Sequence, residues 1–140
     1  MTRRHGLAHS RAAVVGYAAF LAAVLLYPDG MVLNRFFVGV YAVGLRFGWR
    51  WSPEDYASFA NGVAFAPLAF GLVVAWPRVR PWVWGVVLVA ASAGAEIAQL
   101  SLARQASVAD VLTNGAGAVV GTVLGAWRVK VSERSGRLAP

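Results

Sequence analysis

Polar side chains interrupt two long apolar stretches of the chain and are the residues most suited to binding or proton transfer. Glu96 and Gln99, together with Ser92, recur at a spacing that places them on one face of a helix. Asp110 and Asn114 lie four residues apart and also share a helix face. A carboxylate within an apolar helix is costly unless it is paired, neutral or near water, so such residues mark sites of function. Further candidates are Asn61, about two turns into another apolar run, and Arg104.

Each of these residues also has a purely structural interpretation. Glu96 would then fix the register of neighbouring helices as a polar clamp, without any ligand. Asp110 is the third residue after Ser107 and would close a capping box at the start of a helix. Arg104 would anchor the chain at a membrane edge. The sequence leaves both interpretations open.

Several kinds of chemistry lack the residues that they need. The chain has no cysteine, and its two histidines, His5 and His9, both stand in the first ten residues. Thiolate metal sites, cysteine nucleophiles and histidine-built core sites are therefore not expected. We predict no metal and no cofactor.

The composition indicates a membrane protein. Hydrophobic residues make up 59% of the 140 residues and charged residues 14%, whereas a soluble domain is about half apolar and a quarter charged. The formal net charge of +7 alone could suggest nucleic-acid binding. However, the basic residues punctuate long apolar runs instead of forming a stripe, which is typical of a multi-span membrane protein.

Four apolar runs are long enough, or nearly so, for the about 20 residues that a spanning helix needs. We therefore predict an all-α, polytopic membrane protein with a four-helix transmembrane bundle. A fifth run, from Phe36 to Leu45, is too short to cross and predicts an interfacial or re-entrant helix, or a loop helix over the bundle mouth, in the first outer loop. The four runs lie between Arg11 and Asp29, Asp55 and Arg78, Pro81 and Leu102, and Asp110 and Arg128.

The distribution of arginine and lysine predicts the orientation. Most of these residues lie in residues 1–11, between the second and third spans, and in residues 129–140 or just before them. By the positive-inside rule both termini are cytoplasmic. This divides the chain into a cytoplasmic basic tail (1–11), a four-span membrane domain (12–128) and a second cytoplasmic basic tail (129–140).

Local signals place two helix starts and one packing face. Ser52, Pro53 and Asp55 predict a capped helix that begins near Pro53, and Ser107 with Asp110 predicts a second one near Val108. The second of these helices carries small residues four apart that allow another helix to approach closely, which favours tight packing within the bundle. These residues are Gly117, Gly121 and Gly125.

The polar residues, taken together, resemble the signature of the VanZ-like family. Glu96-Ile-Ala-Gln99 is similar to its E-x-x-Q motif, Arg104 to its basic loop residue, and Asp110 with Asn114 to its D-x-x-x-N motif. Asn61 with Phe65-Ala66-Pro67-Leu68 resembles the N-x-x-x-F-x-P-L-G segment of the family's second span, although Ala69 stands where the family usually has glycine. The resemblance implies a role in the bacterial cell envelope, where members are associated with resistance to glycopeptide antibiotics, notably teicoplanin.

Three functions of different classes are compatible with these residues. The first is a non-catalytic protein of the bacterial plasma membrane that presents an outward polar site to an amphiphilic or lipid-linked molecule, such as a cell-wall precursor or a lipoglycopeptide. The second is a membrane enzyme that acts on a lipid or isoprenoid head group with Glu96 and Asp110 as acid and base. The third is a small proton-coupled exporter. We expect the first, with membrane lipids as neighbours, no nucleic acid as partner, and a site formed by Asn61, Glu96, Gln99, Arg104, Asp110 and Asn114.

Overall fold

The computed structural model describes residues 2–27, 30–101 and 107–137, and the regular structure in these ranges is helical. The helices are α1 (Thr2–Leu25), α2 (Gly30–Arg46), α3 (Pro53–Ala75), α4 (Pro81–Ser101) and α5 (Val108–Arg137). The predicted all-α fold class is confirmed. Helices α1 and α5 extend into the two predicted basic tails, residues 1–11 and 129–140.

Three helices, α3, α4 and α5, are long and apolar enough to cross a membrane. In α1 the apolar part covers only Ser10–Leu25, which is shorter than the about 30 Å hydrocarbon core that a spanning helix must cross. The four-span count therefore stays a prediction for α1. Large side chains that face away from the bundle are apolar, as expected for contact with lipid; Leu112, Val119 and Val123 are all exposed.

The helix of the first long loop is longer than the sequence predicted. We expected it from Phe36 to Leu45, bounded by two arginines, but α2 begins at Gly30 and continues through Arg35 to Arg46. Arginine is a good helix former, and a charge on the surface of a helix does not end it. The boundaries drawn at charged residues were therefore wrong for this helix, which packs against α3.

Helices α3 and α5 run in one direction, and α1 and α4 run in the opposite direction. Ser58 on α3 contacts Asp110 on α5, and Gly62 lies against Gly117, so α3 and α5 are parallel. Tyr17 of α1 donates to the carbonyl of Ala64 over 3.0 Å, and Arg11 to that of Ala75 over 3.1 Å, so α1 is antiparallel to α3. Because α1 and α4 end where α3 and α5 begin, we call this end of the bundle the capped end.

The closest packing joins α3 to α5 along a line of glycines. A Cβ atom at Gly117 or Gly121 would collide with the carbonyl oxygen of Gly62 or Ala66, both on α3. At Gly125 a Cβ would come within 2.9 Å of Val73 Cβ. The small-residue face of α5 therefore packs within the bundle, as predicted. The buried core continues from it through Phe65, Leu68, Ala69 and Ala118 to Leu21 and Leu88.

The start of α3 carries the predicted capping box. The Ser52 backbone N–H donates to Asp55 Oδ2 over 2.8 Å, and the Asp55 N–H donates to Ser52 Oγ over 3.2 Å. Pro53 occupies the first helical position, where its missing N–H costs nothing. The start of α5 at Val108 is also where the sequence placed it, although its cap is built differently, as described next.

Candidate functional site

Glu96 caps the start of α5 from a neighbouring helix. Its side chain on α4 is only 7% exposed, and Oε2 accepts a hydrogen bond from the Ser107 backbone N–H over 2.7 Å. The first N–H groups of a helix have no partner within the helix, and its N-terminus carries a partial positive charge. Both features stabilise a buried carboxylate, so the position of Glu96 has a physical explanation without a cationic partner.

The predicted capping box at α5 is only half formed, and this expectation was wrong in its second half. Ser107 Oγ accepts from the Asp110 N–H over 3.3 Å, as in a capping box. The Ser107 N–H, however, donates to Glu96 and not to the Asp110 carboxylate. Asp110 Oδ1 instead accepts from Ser58 Oγ on α3 over 2.6 Å. The Glu96 carboxylate therefore links α4 to the start of α5, and the Asp110 carboxylate links α5 to α3.

Asn114 lies one turn deeper on α5 and is fully buried. Its Nδ2 donates to Ser92 Oγ on α4 over 2.8 Å, and both side chains are 1% exposed. Asn114 Oδ1 is buried and has no hydrogen-bond partner within the described residues. An unsatisfied buried acceptor is costly, so this atom is a place where a proton donor or water would bind favourably.

Gln99 links α4 to the end of α1. Its side chain is 4% exposed, and Nε2 donates to the Leu25 carbonyl oxygen over 2.9 Å. Leu25 is the last residue of α1, where backbone carbonyls have no partner within the helix. The predicted polar face of α4 therefore divides between two neighbours: Ser92 and Glu96 contact α5, and Gln99 contacts α1.

The remaining two predicted site residues are Asn61 and Arg104. Asn61 is half-buried on α3 and precedes Gly62, the glycine that packs against α5. Arg104 lies outside the described residues. Ser107 thus contacts the Glu96 carboxylate and the backbone N–H of Asp110, whereas Gln99 and Asn114 each make a separate link.

Two further polar residues take part that the sequence analysis did not select for the site. Ser58 is the partner of Asp110, and Ser92 is the partner of Asn114. The sequence could have suggested Ser58 as a neighbour of Asp110. Both α3 and α5 were expected to start at the outer surface, and both residues lie near the start of their helix.

An apolar cavity of about 320 Å³ lies beside the polar face of α4, between α1, α3 and α4. We call it the α1/α4 crevice. Its wall on α4 consists of small residues, and Ala91, Ala95 and Ala98 each precede a residue of the polar face of α4 by one position. The two faces are therefore neighbours around the helix. The crevice is also lined by Leu21, Leu25, Leu26, Phe65, Leu68, Leu88 and Gly94.

The arrangement offers no obvious place for a metal. Within residues 2–27, 30–101 and 107–137, no three acidic or histidine side chains come together as a metal site would require. What the polar residues offer are hydrogen-bond acceptors and donors at one end of an apolar bundle. This chemistry suits recognition of a polar head group.

The comparisons with known proteins identify the family. A sequence profile of the VanZ/LLP1 family matches residues 14–129, which is most of the chain. The chain therefore belongs to the VanZ/LLP1 family. A comparison with curated proteins and one with solved structures find no match.

Proposed function

We propose that this member of the VanZ/LLP1 family is a non-catalytic protein of the bacterial plasma membrane, with four spans, both termini in the cytoplasm and the capped end outside. Its polar residues at that end would bind the head group of an amphiphilic or lipid-linked envelope molecule, either a cell-wall precursor or a lipoglycopeptide. Such binding would account for a contribution to teicoplanin resistance. The proposed head-group residues are Asn61, Glu96, Gln99, Arg104, Asp110 and Asn114.

One observation carries the proposal, namely the junction of the polar face with the α1/α4 crevice. Leu25 lines the crevice, and its carbonyl oxygen accepts the hydrogen bond from Gln99. The crevice therefore reaches the polar residues at the capped end. A ligand with a hydrocarbon tail and a polar head would place the tail in the crevice and the head beside Gln99 and Glu96.

The crevice suits a hydrocarbon chain better than water. Its lining has no polar side chain, so a water molecule would lack the hydrogen-bond partners that hold buried water. Its volume of about 320 Å³ is at the lower end of the range for small-molecule sites. Teicoplanin-type glycopeptides carry an acyl chain, and one such chain would fit this size class.

The geometry favours binding over acid–base catalysis. Glu96 Oε2 and Asp110 Oδ1 are both engaged by donors of the protein, Ser107 N–H and Ser58 Oγ. A general acid or base must reach the proton that it transfers, and these contacts hold both carboxylates toward neighbouring helices. The enzyme and exporter hypotheses are therefore less well supported than the binding hypothesis.

Binding of teicoplanin to the purified protein in lipid nanodiscs tests the proposal. Gly94 lines the crevice, and a Cβ at this position meets nothing within 4 Å, so Gly94→Leu fills the cavity without a collision at Cβ. Gly16→Leu is the matched control, because Gly16 is also a helical glycine with open space around it but lies outside the crevice lining. We expect teicoplanin to bind the parent and Gly16→Leu, and to bind Gly94→Leu at least about tenfold more weakly.

A glycopeptide that lacks the acyl chain is the second arm of this experiment. We expect it to bind weakly to all three proteins, because the crevice contributes nothing to it. Equal binding of the two glycopeptides, or undiminished binding of teicoplanin by Gly94→Leu, would contradict the proposal.

A further inference from the structure

A second cavity, separate from the α1/α4 crevice, lies between α2 and the first turns of α3. It has a volume of about 520 Å³, well within the range of small-molecule sites. We call it the α2 groove. None of the residues of the polar face of α4 lines it. Its lining includes Arg35, Gly39, Val43, Phe47, Trp49 and Tyr56.

Aromatic side chains mark the level of the α2 groove relative to the membrane. Trp51, next to the groove, has its ring centroid 5.6 Å from that of Tyr56 and also 5.6 Å from that of Phe59. Trp49 and Tyr56 line the groove itself. Tryptophan and tyrosine collect at the depth of the lipid head groups. The groove therefore lies where a lipid has its phosphate and the first part of its chains.

Arg35 gives the groove a positive charge. Its side chain is exposed, and its guanidinium approaches the sulfur of Met31 to 3.7 Å. No ion pair of Arg35 occurs within the ranges that the structure describes. A guanidinium can bind a phosphate through two parallel hydrogen bonds, which distinguishes it from a simple point charge.

Tyr56 supplies a second polar group at the wall of the groove. Its hydroxyl is buried against Gly44 and has no hydrogen-bond partner among the described residues. A buried hydroxyl without a partner is unfavourable. A phosphate or ester oxygen that entered the groove would provide the missing acceptor after a small shift of the ring.

We propose that the α2 groove binds a phosphate-bearing lipid. The phosphate would lie on Arg35, and one hydrocarbon chain would run along Gly39, Val43 and Phe47. This site is independent of the proposed function at the polar face of α4, since the two share no residue. The groove would hold α2 and the start of α3 at the membrane surface through a bound lipid.

Native mass spectrometry of the detergent-solubilised protein tests this proposal with three probes: dioleoyl phosphatidylglycerol, dioleoylglycerol and inorganic phosphate. Arg35→Gln removes the charge, and Gly39→Leu fills the groove at a position where a Cβ meets nothing within 4 Å. The matched controls are Arg46→Gln, which removes a charge from the same helix outside the groove lining, and Gly16→Leu. Helix content by circular dichroism confirms that each variant is folded.

We expect the parent to bind phosphatidylglycerol at least about tenfold more tightly than either dioleoylglycerol or inorganic phosphate, because charge-assisted hydrogen bonds and the chain both contribute. Arg35→Gln and Gly39→Leu should each weaken binding at least about tenfold, and the two controls should bind as the parent does. Equal binding of dioleoylglycerol would overturn the role of the phosphate. An equal loss in Arg46→Gln would show diffuse attraction by charge and would overturn the site.

Discussion

Glu96 on α4 and Ser107 at the start of α5 are joined by a 2.7 Å hydrogen bond from the Ser107 backbone N–H to the Glu96 carboxylate. In a capping box this N–H would be satisfied from within α5, by Asp110. Because Glu96 takes that place, Asp110 is able to accept from Ser58 on α3. A single exchange of partners therefore ties three helices together at the capped end.

This exchange predicts different effects for two substitutions of Glu96. Glutamine still accepts a hydrogen bond from the Ser107 N–H but loses the interaction of the charge with the helix dipole, which costs up to about 2 kcal/mol in a partly buried setting. Leucine leaves that N–H unpaired and should cost about 1–3 kcal/mol more. Thermal unfolding in detergent should therefore rank the parent above Glu96→Gln and Glu96→Gln above Glu96→Leu. A Glu96→Leu protein as stable as Glu96→Gln would refute the capping role.

The link between Ser58 and Asp110 predicts coupling between α3 and α5. A hydrogen bond from a hydroxyl to a charged carboxylate contributes about 1.5–3 kcal/mol. In a double-mutant cycle of Ser58→Ala and Asp110→Ala, we expect Asp110→Ala to cost clearly less stability when Ser58 is already alanine than it costs in the parent. The control pair is Ser52→Ala with Asp110→Ala, since Ser52 caps α3 through Asp55 and should add independently. Strict additivity for Ser58 and Asp110 would argue against the link.

The glycine seam predicts an order of destabilisation. A Cβ at Gly121 collides with the backbone carbonyl of Ala66, whereas at Gly125 the nearest atom, Val73 Cβ, is farther away, at 2.9 Å. Gly121→Leu should therefore lower the melting temperature more than Gly125→Leu does. Its free energy of unfolding should fall by more than the about 1–3 kcal/mol typical of overpacking. Gly16→Leu has open space and should melt as the parent does. Equal melting of Gly121→Leu and the parent would exclude close approach of α3 and α5.

The features that sequence reasoning predicted correctly are those with a local signature. The capping box of Ser52 and Asp55 lies within four residues, and the glycine face of α5 repeats with the period of the helix. The polar face of α4 was likewise visible from its spacing. Each of these patterns depends on the geometry of one helix, which a sequence specifies directly.

The partners of the polar residues could not be predicted, because they depend on contacts between helices. The acceptor of the Gln99 amide is the backbone carbonyl of Leu25, and a backbone group has no sequence signature. The partner of Glu96 is a backbone N–H eleven residues later in the chain. The start of α2 was missed for another reason, since a charged residue such as Arg35 was taken as a boundary although it lies within the helix.

The proposed orientation is testable with single cysteines, because the chain has none of its own. Arg50→Cys lies just before α3 at the capped end, and Ser135→Cys lies near the other end of α5; both positions are exposed. An impermeant maleimide added to intact cells should label Arg50→Cys, and should label Ser135→Cys only after the membrane is opened. Labelling of Ser135→Cys alone in intact cells would invert the orientation.

The most direct test of the outward polar site is the susceptibility of cells to teicoplanin. Cells that carry Glu96→Gln are compared with cells that carry the parent protein at equal abundance. Glutamine preserves the size of the side chain and its contact with Ser107 but removes the charge and the capacity for proton exchange. Arg104→Lys in the same assay tests the planar guanidinium. We predict that protection against teicoplanin is lost in both variants while an immunoblot of membranes shows normal amounts of protein. Full protection by both variants at normal abundance would contradict the site and leave these residues a role in helix packing alone.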